Sequence, residues 1–122
     1  MKIVKYRTAR ECLAAYHGCG PSEIPLPGVW IYYDRKGNQR RHRYKECYES
    51  ILKRGCWAWC ENKSTLHLWI SRRAKFADAI GLIAHEVGHC QKPYLRFGRE
   101  ETKAARYEYV AQEAAKIFKL FY

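Results

Sequence analysis

The chain has no long hydrophobic run. Met1–Arg7 is too polar for the apolar centre of a secretion signal. No later stretch approaches the roughly 20 apolar residues of a membrane-spanning helix. These absences argue against membrane insertion and lead to the expectation of a cytoplasmic protein. Acidic residues are also scarce: 12 Asp plus Glu stand against 23 Lys plus Arg, a net charge of +11. That imbalance favours an acidic partner, whether nucleic acid, an anionic surface or an acidic protein, without choosing among them. The 6 cysteines lack the spacing of a tight zinc knuckle. Three disulfides would require an oxidising compartment, so free thiols are expected. A second, structural metal site is the alternative, with Cys56 and Cys60 completed by Cys12, Cys19 or Cys47.

What is present suits one domain over residues 1–122, with a single modest core to which 10 Tyr and 4 Trp contribute much of the volume. Lys2–Tyr6 reads as a short strand and Arg10–His17 as a helix stopped by Gly18. Residues 21–28, with three prolines, read as a connector. Val29–Asp34 and Gln39–Tyr44 form a predicted hairpin turning at Gly37-Asn38. Lys45–Arg54 is a predicted helix. Leu66–Ser71 alternates as a strand, with Leu66, Leu68 and Ile70 on one side and His67, Trp69 and Ser71 on the other. Two helices follow, about Arg73–Cys90 and Arg99–Leu120, separated by Pro93. In the last, Ala104, Ala105, Val110, Ala111, Ala114, Ala115, Phe118 and Phe121 are the expected packing residues. Gly81 and Gly88 cost helix propensity, which suggests close approach by a neighbouring strand or a substrate backbone.

The run His85-Glu86-Val87-Gly88-His89 is the most informative feature. Two histidines four apart project from one face of a helix and can reach one ion. Glu86 lies about 100° around the helix from His85, placed to meet a metal-bound water rather than to close the coordination sphere. An open zinc site needs three protein ligands, and a carboxylate from an antiparallel helix supplies the third. Glu101 is preferred to Glu100, because Ala104, Ala105, Glu108 and Ala115 share its approximate face. Glu108 is a weaker ligand candidate, or a residue that orients His85 or His89 through its free ring N–H. Zn²⁺ is thus the expected cofactor, held by His85, His89 and Glu101, with Glu86 as general base. His42, His67, Tyr94, Tyr107 and Arg106 are candidates to hold the developing oxyanion, with Tyr107 preferred for its closeness to Glu101 in sequence. The plain alternative is a fortuitous pair of partly buried histidines.

The H-E-x-x-H helix followed by a helix carrying Glu101-x-x-Ala104 resembles the gluzincin branch of zinc metallopeptidases. Its layout from Thr65 to Val110 looks most like minimal domains related to the ImmA/IrrE proteases and to the CAAX-processing type. The resemblance implies an α+β, zincin-like (minimal gluzincin) fold: a short antiparallel or mixed sheet packed on the motif helix and a C-terminal helix. It implies Glu101 as third ligand, Ala104 as the small residue that lets the helices close, and Leu66–Ser71 as the edge strand that aligns an extended peptide. The short interval between His89 and Glu101 requires Gln91–Arg99 to turn tightly.

The leading expectation is a zinc peptidase acting on a protein or peptide substrate. One alternative is a nucleic-acid-binding or regulatory protein using the basic hairpin 29–45. There Arg40, Arg41, Arg43 and Lys45, with Arg35 and Lys36, interleave with Tyr32, Tyr33 and Tyr44 to meet phosphates and bases. Another is an inactive zincin-like module that binds another protein. Oligomeric state is not legible.

Overall fold

The computed structural model describes residues 1–121. Strand β1 (Lys2–Lys5) leads into helix α1 (Ala9–His17). Thr8 begins that helix, its hydroxyl accepting the Glu11 N–H at 3.2 Å, and Gly18 ends it at φ 70°. The proline-rich connector contains one 3-10 turn, Pro21–Glu23. Strands β2 (Val29–Tyr33) and β3 (Gln39–Arg43) form the hairpin. Asp34 shapes its turn by accepting the N–H groups of Lys36 and Asn38, both at 2.9 Å. Helix α2 (Tyr44–Arg54) ends at Gly55, whose φ of 82° few other residues adopt.

A strand that the sequence reading did not contain follows: β4, Cys56–Glu61. It turns at 62–64 into β5 (Thr65–Ile70), and the two pair antiparallel. Strand β1 joins the far side of β5 in parallel, giving the order β1-β5-β4. This corrects the expectation for Leu66–Ser71: β5 is the central strand, paired on both sides, and β1 and β4 are the edges. Both faces of β5 are consequently buried. Leu66 and Leu68 join Ala58, Leu82 and Ile83 on one face. Trp69 joins Leu13, Ile24, Tyr44 and Ile51 on the other, under α1 and α2.

Helices α3 (Phe76–His89) and α4 (Phe97–Lys119) complete the α+β chain. They pack closely against each other, and α3 also packs on β4. The connector does turn tightly. Lys103 ties it down by donating from Nζ to the carbonyls of Gln91 at 2.5 Å and Pro93 at 3.0 Å.

The glycines of α3 answer to α4, not to a strand or a substrate backbone. A Cβ on Gly88 would stand 2.9 Å from Tyr107 Cδ2 and 3.1 Å from the Ala104 Cα. On α4 itself the buried residues are Ala104, Glu108 and Ala115. Val110, Phe118 and Phe121, expected to pack, are exposed, because the partner helix α3 is much shorter and covers only one side.

Candidate metal centre

His85 and His89 share one side of α3, their rings edge to face with centroids 5.0 Å apart. That side looks across to the first turns of α4, where Glu101 reaches both. Its Oε2 lies 3.0 Å from His85 Nε2, and its Oε1 lies 3.3 Å from His89 Nε2. The other ring nitrogens are held by separate carboxylates. His85 Nδ1 meets Glu108 Oε1 at 3.0 Å, and His89 Nδ1 meets Glu100 Oε2 at 2.7 Å. An ionised carboxylate only accepts, so each Nδ1 carries the hydrogen and donates it. Each Nε2 in turn faces the Glu101 carboxylate, so both nitrogens of each ring donate, and a metal binding at Nε2 would displace the proton there while Nδ1–H stays on its own carboxylate.

The acids divide by their cations. Glu100 has Lys103 at 2.9 Å, and Glu108 has Arg35 from the hairpin tip. Among the described residues Glu101 has no Lys or Arg partner, only the two histidines. In a chain of net charge +11, Glu101 is thus a carboxylate whose charge no lysine or arginine among the described residues offsets. Such a spot attracts a cation.

The pKa directions sort the roles. Burial alone would lower His85, but its hydrogen bonds to Glu101 and Glu108 prevail and lift it to about 10. Burial alone would raise Glu101, but hydrogen bonds from both histidines hold it at about 2. Glu101 is therefore an anion throughout the neutral range. Glu86 behaves in the opposite way: burial pushes it up to about 7, although the histidine charges pull against that. One ligand-type atom from each of His85, Glu86 and His89 lies within 4.8 Å of the others, so Glu86 borders the same centre. His85, Glu86 and His89 are thus placed so that together they could hold a metal ion, and Glu86 is also close enough to exchange a proton with a group bound there.

The His and Glu donors gathered here could hold a metal ion. With Zn–N and Zn–O bonds of roughly 2.0–2.2 Å, neighbouring ligands of a tetrahedral ion stand about 3.3 Å apart. Glu101 oxygens stand at 3.0 and 3.3 Å from the two Nε2 atoms. Two imidazoles and one carboxylate, with both imidazoles held from behind, suit a borderline metal that keeps an open position.

These residues line one cleft of about 1060 Å³, bounded by the hairpin, β4, α3 and α4. Tyr16 of α1 lines it too, and no sequence signal had linked that residue to the motif. Its ring stands edge-on between Trp57 (5.4 Å, 85°) and Trp59 (5.4 Å, 70°). Its hydroxyl makes no hydrogen bond among the described residues. Burial raises its pKa, and the charges of Glu86 and Glu101 add to the rise, so the phenol stays protonated and able to donate.

The expected oxyanion group Tyr107 is placed elsewhere. Its ring packs on Gly88, and it does not line the cleft. Tyr107 sits there because the helices meet closely at Gly88, where an added Cβ would stand 2.9 Å from its ring. Tyr94 and Arg106 do not line the cleft either, whereas His42 does. His67 is buried under Trp59 at 3.8 Å, and both its nitrogens are engaged, by the Tyr6 hydroxyl and Glu61, each at 2.8 Å. The proposed joint site of Cys56 and Cys60 is also corrected. Four residues apart on an extended strand, they are separated by roughly 13 Å, too far for one ion. No membrane-length apolar helix occurs among the described residues. No family model matches this chain, and no curated protein and no solved structure was found to be significantly similar to it.

Proposed function

We propose that this chain is a zincin-like metallopeptidase: it hydrolyses peptide bonds in a protein substrate, with Zn²⁺ held by His85, His89 and Glu101. The observation that carries the reading is the convergence of both Nε2 atoms on Glu101 while each Nδ1 is held by its own carboxylate. Zinc bound there supplies Lewis-acid polarisation of the scissile carbonyl and lowers the pKa of the attacking water. Glu86, beside both histidines, would take the proton of that water and return it to the leaving amine. Tyr16 donates its hydroxyl hydrogen to the carbonyl oxygen as negative charge develops on it. The free edge of β4, next to α3, offers main-chain groups for pairing with an extended peptide.

Metal analysis of the wild-type chain and of Glu86→Gln, with cleavage of unfolded polypeptides followed by mass spectrometry, tests the reading. The expected result is about one zinc per chain in both proteins and cleavage in the wild type only. Wild-type protein purified without chelators that holds no zinc sinks it.

Nucleic acid binding is the second reading, and one observation favours it. Arg41 and Arg43 lie across from Ile31 and Val29, at positions alternating with His42, and every residue of β3 is exposed. Arg40 contributes less to such a surface, since Asp34 holds its Nε at 2.9 Å. Lys45 follows at the start of α2. Binding through this surface weakens with salt and with Arg41→Ala/Arg43→Ala. An affinity unmoved by that double change removes the hairpin from consideration.

A further inference from the structure

All six cysteines are free, and they are unequally placed. Cys12 and Cys56 are wholly buried in the core. Cys60 lies near the end of β4 and lines the cleft, while Cys90 caps α3 directly after His89. Their sulfur atoms are 3.0 Å apart, although 30 residues separate them in sequence. A disulfide needs its sulfurs at about 2.05 Å, so roughly 1 Å of approach closes the bond. Neither residue is fully buried, so a small reagent entering the cleft reaches the pair. Among the described residues no other two thiols are hydrogen-bonded to each other. The contact also joins two elements with different jobs: β4 forms the lip of the cleft, and α3 carries both histidines.

We propose that Cys60 and Cys90 are a disulfide-forming pair, oxidised by exchange with a small-molecule disulfide, and that the bond fastens the edge strand to the end of the histidine-bearing helix. The exchange balances with such a disulfide as oxidant. One cysteine thiolate attacks it, forming a mixed disulfide and releasing one small thiol. The second cysteine thiolate then displaces the other small thiol and closes the Cys60–Cys90 bond. Two protons and two electrons leave the protein, and the reagent is reduced to two thiols. Burial pushes the Cys60 thiol up to about 12, so the exchange is slow at neutral pH and faster above it. The closed loop contains His85 and His89, though neither is one of the bonded residues, and the bond locks the spacing of β4 and α3. It stands on the thiol contact alone and does not depend on a peptidase function.

The test treats the full chain exhaustively with oxidised glutathione above neutral pH, alkylates remaining thiols, and digests without reduction for mass spectrometry. The expected digest contains one peptide pair joined through Cys60 and Cys90, two hydrogens lighter than the two reduced peptides together, whatever adducts Cys19 and Cys47 carry. Its melting temperature lies roughly 10 °C above that of the reduced chain, as a cross-link of this loop length implies. Cys60→Ser and Cys90→Ser should each carry a glutathione adduct on the remaining thiol instead of a cross-link. Recovery of Cys60 and Cys90 both alkylated, glutathione on both at once, or a cross-link that survives in either single variant overturns the proposal.

Discussion

Glu108 holds His85 from behind: Nδ1 of the histidine donates to its Oε1 at 3.0 Å, and Arg35 of the hairpin binds the other carboxylate oxygen. The carboxylate fixes the ring's tautomer and raises the basicity of Nε2, the atom that would meet a metal. Glu108→Gln keeps the shape and removes the charge. Zinc affinity is expected to fall about 10- to 100-fold, measured by competition with a chromogenic chelator. Glu100→Gln should act similarly through His89. Unchanged affinity in both variants would remove these carboxylates from the centre.

Gly88 is a point where the backbones of α3 and α4 come close, and adding one carbon there tests that closeness. Gly88→Ala gains about 1 kcal/mol of helix propensity. Against this, its Cβ would press on the Ala104 backbone at 3.1 Å and the Tyr107 ring at 2.9 Å, and overpacking of this kind costs about 1–3 kcal/mol. Net destabilisation by urea unfolding is expected. Gly81→Ala is the contrast, since the three atoms nearest its Cβ belong to the Gln112 side chain, with Cγ at 2.8 Å and Cδ at 2.9 Å, and none to backbone. That variant should be destabilised less than Gly88→Ala. Equal effects at the two positions would contradict the close packing at Gly88.

Much of this architecture was legible because local pattern and tertiary contact agree. The motif helix read as about Arg73–Cys90 runs Phe76–His89, and the final helix read from Arg99 runs Phe97–Lys119. The orienting role considered for Glu108 coincides with its contact to His85. Strand β4 was less legible, since the Cys56-x3-Cys60 spacing also suits a pair of metal ligands, although Trp57 and Trp59 between them favour a strand. The centrality of β5 was not legible, since its parallel partner β1 lies some sixty residues earlier and pairing order leaves no local trace. Glu100 and Glu101 were weighed as alternatives for one role, whereas their adjacent positions on α4 carry them to different nitrogens of His89. Tyr16 reaches the cleft only through the packing of α1 on β4, which no short-range spacing encodes.

Tyr16→Phe separates a hydrogen-bond donor from a mere cleft wall. The ring and its edge-on contacts with Trp57 and Trp59 persist, and only the hydroxyl is lost. For a donor that acts in the transition state, kcat should fall about 10²-fold with KM and zinc content little changed. A fall in substrate affinity with kcat intact would assign the hydroxyl to ground-state binding instead.

His17 provides a pH dependence outside the metal centre. Its Nε2 accepts the Tyr44 hydroxyl at 2.7 Å, and its ring sits edge-on to Trp30 at 5.5 Å. Burial lowers its pKa from the ordinary 6.5. As pH falls below that value, the unfolded chain takes the proton before the folded one does. The stability His17 contributes is therefore complete above about pH 6.5 and is lost as pH drops through the lower folded value. Protonation also converts Nε2 from acceptor to donor and breaks the bond from Tyr44. An NMR titration of the His17 ring should give a midpoint below 6.5, accompanied by a change in Trp30 fluorescence. A midpoint at or above 6.5 would show that the aromatic surroundings do not exclude the charge, and the acid sensitivity assigned to this contact would go with it.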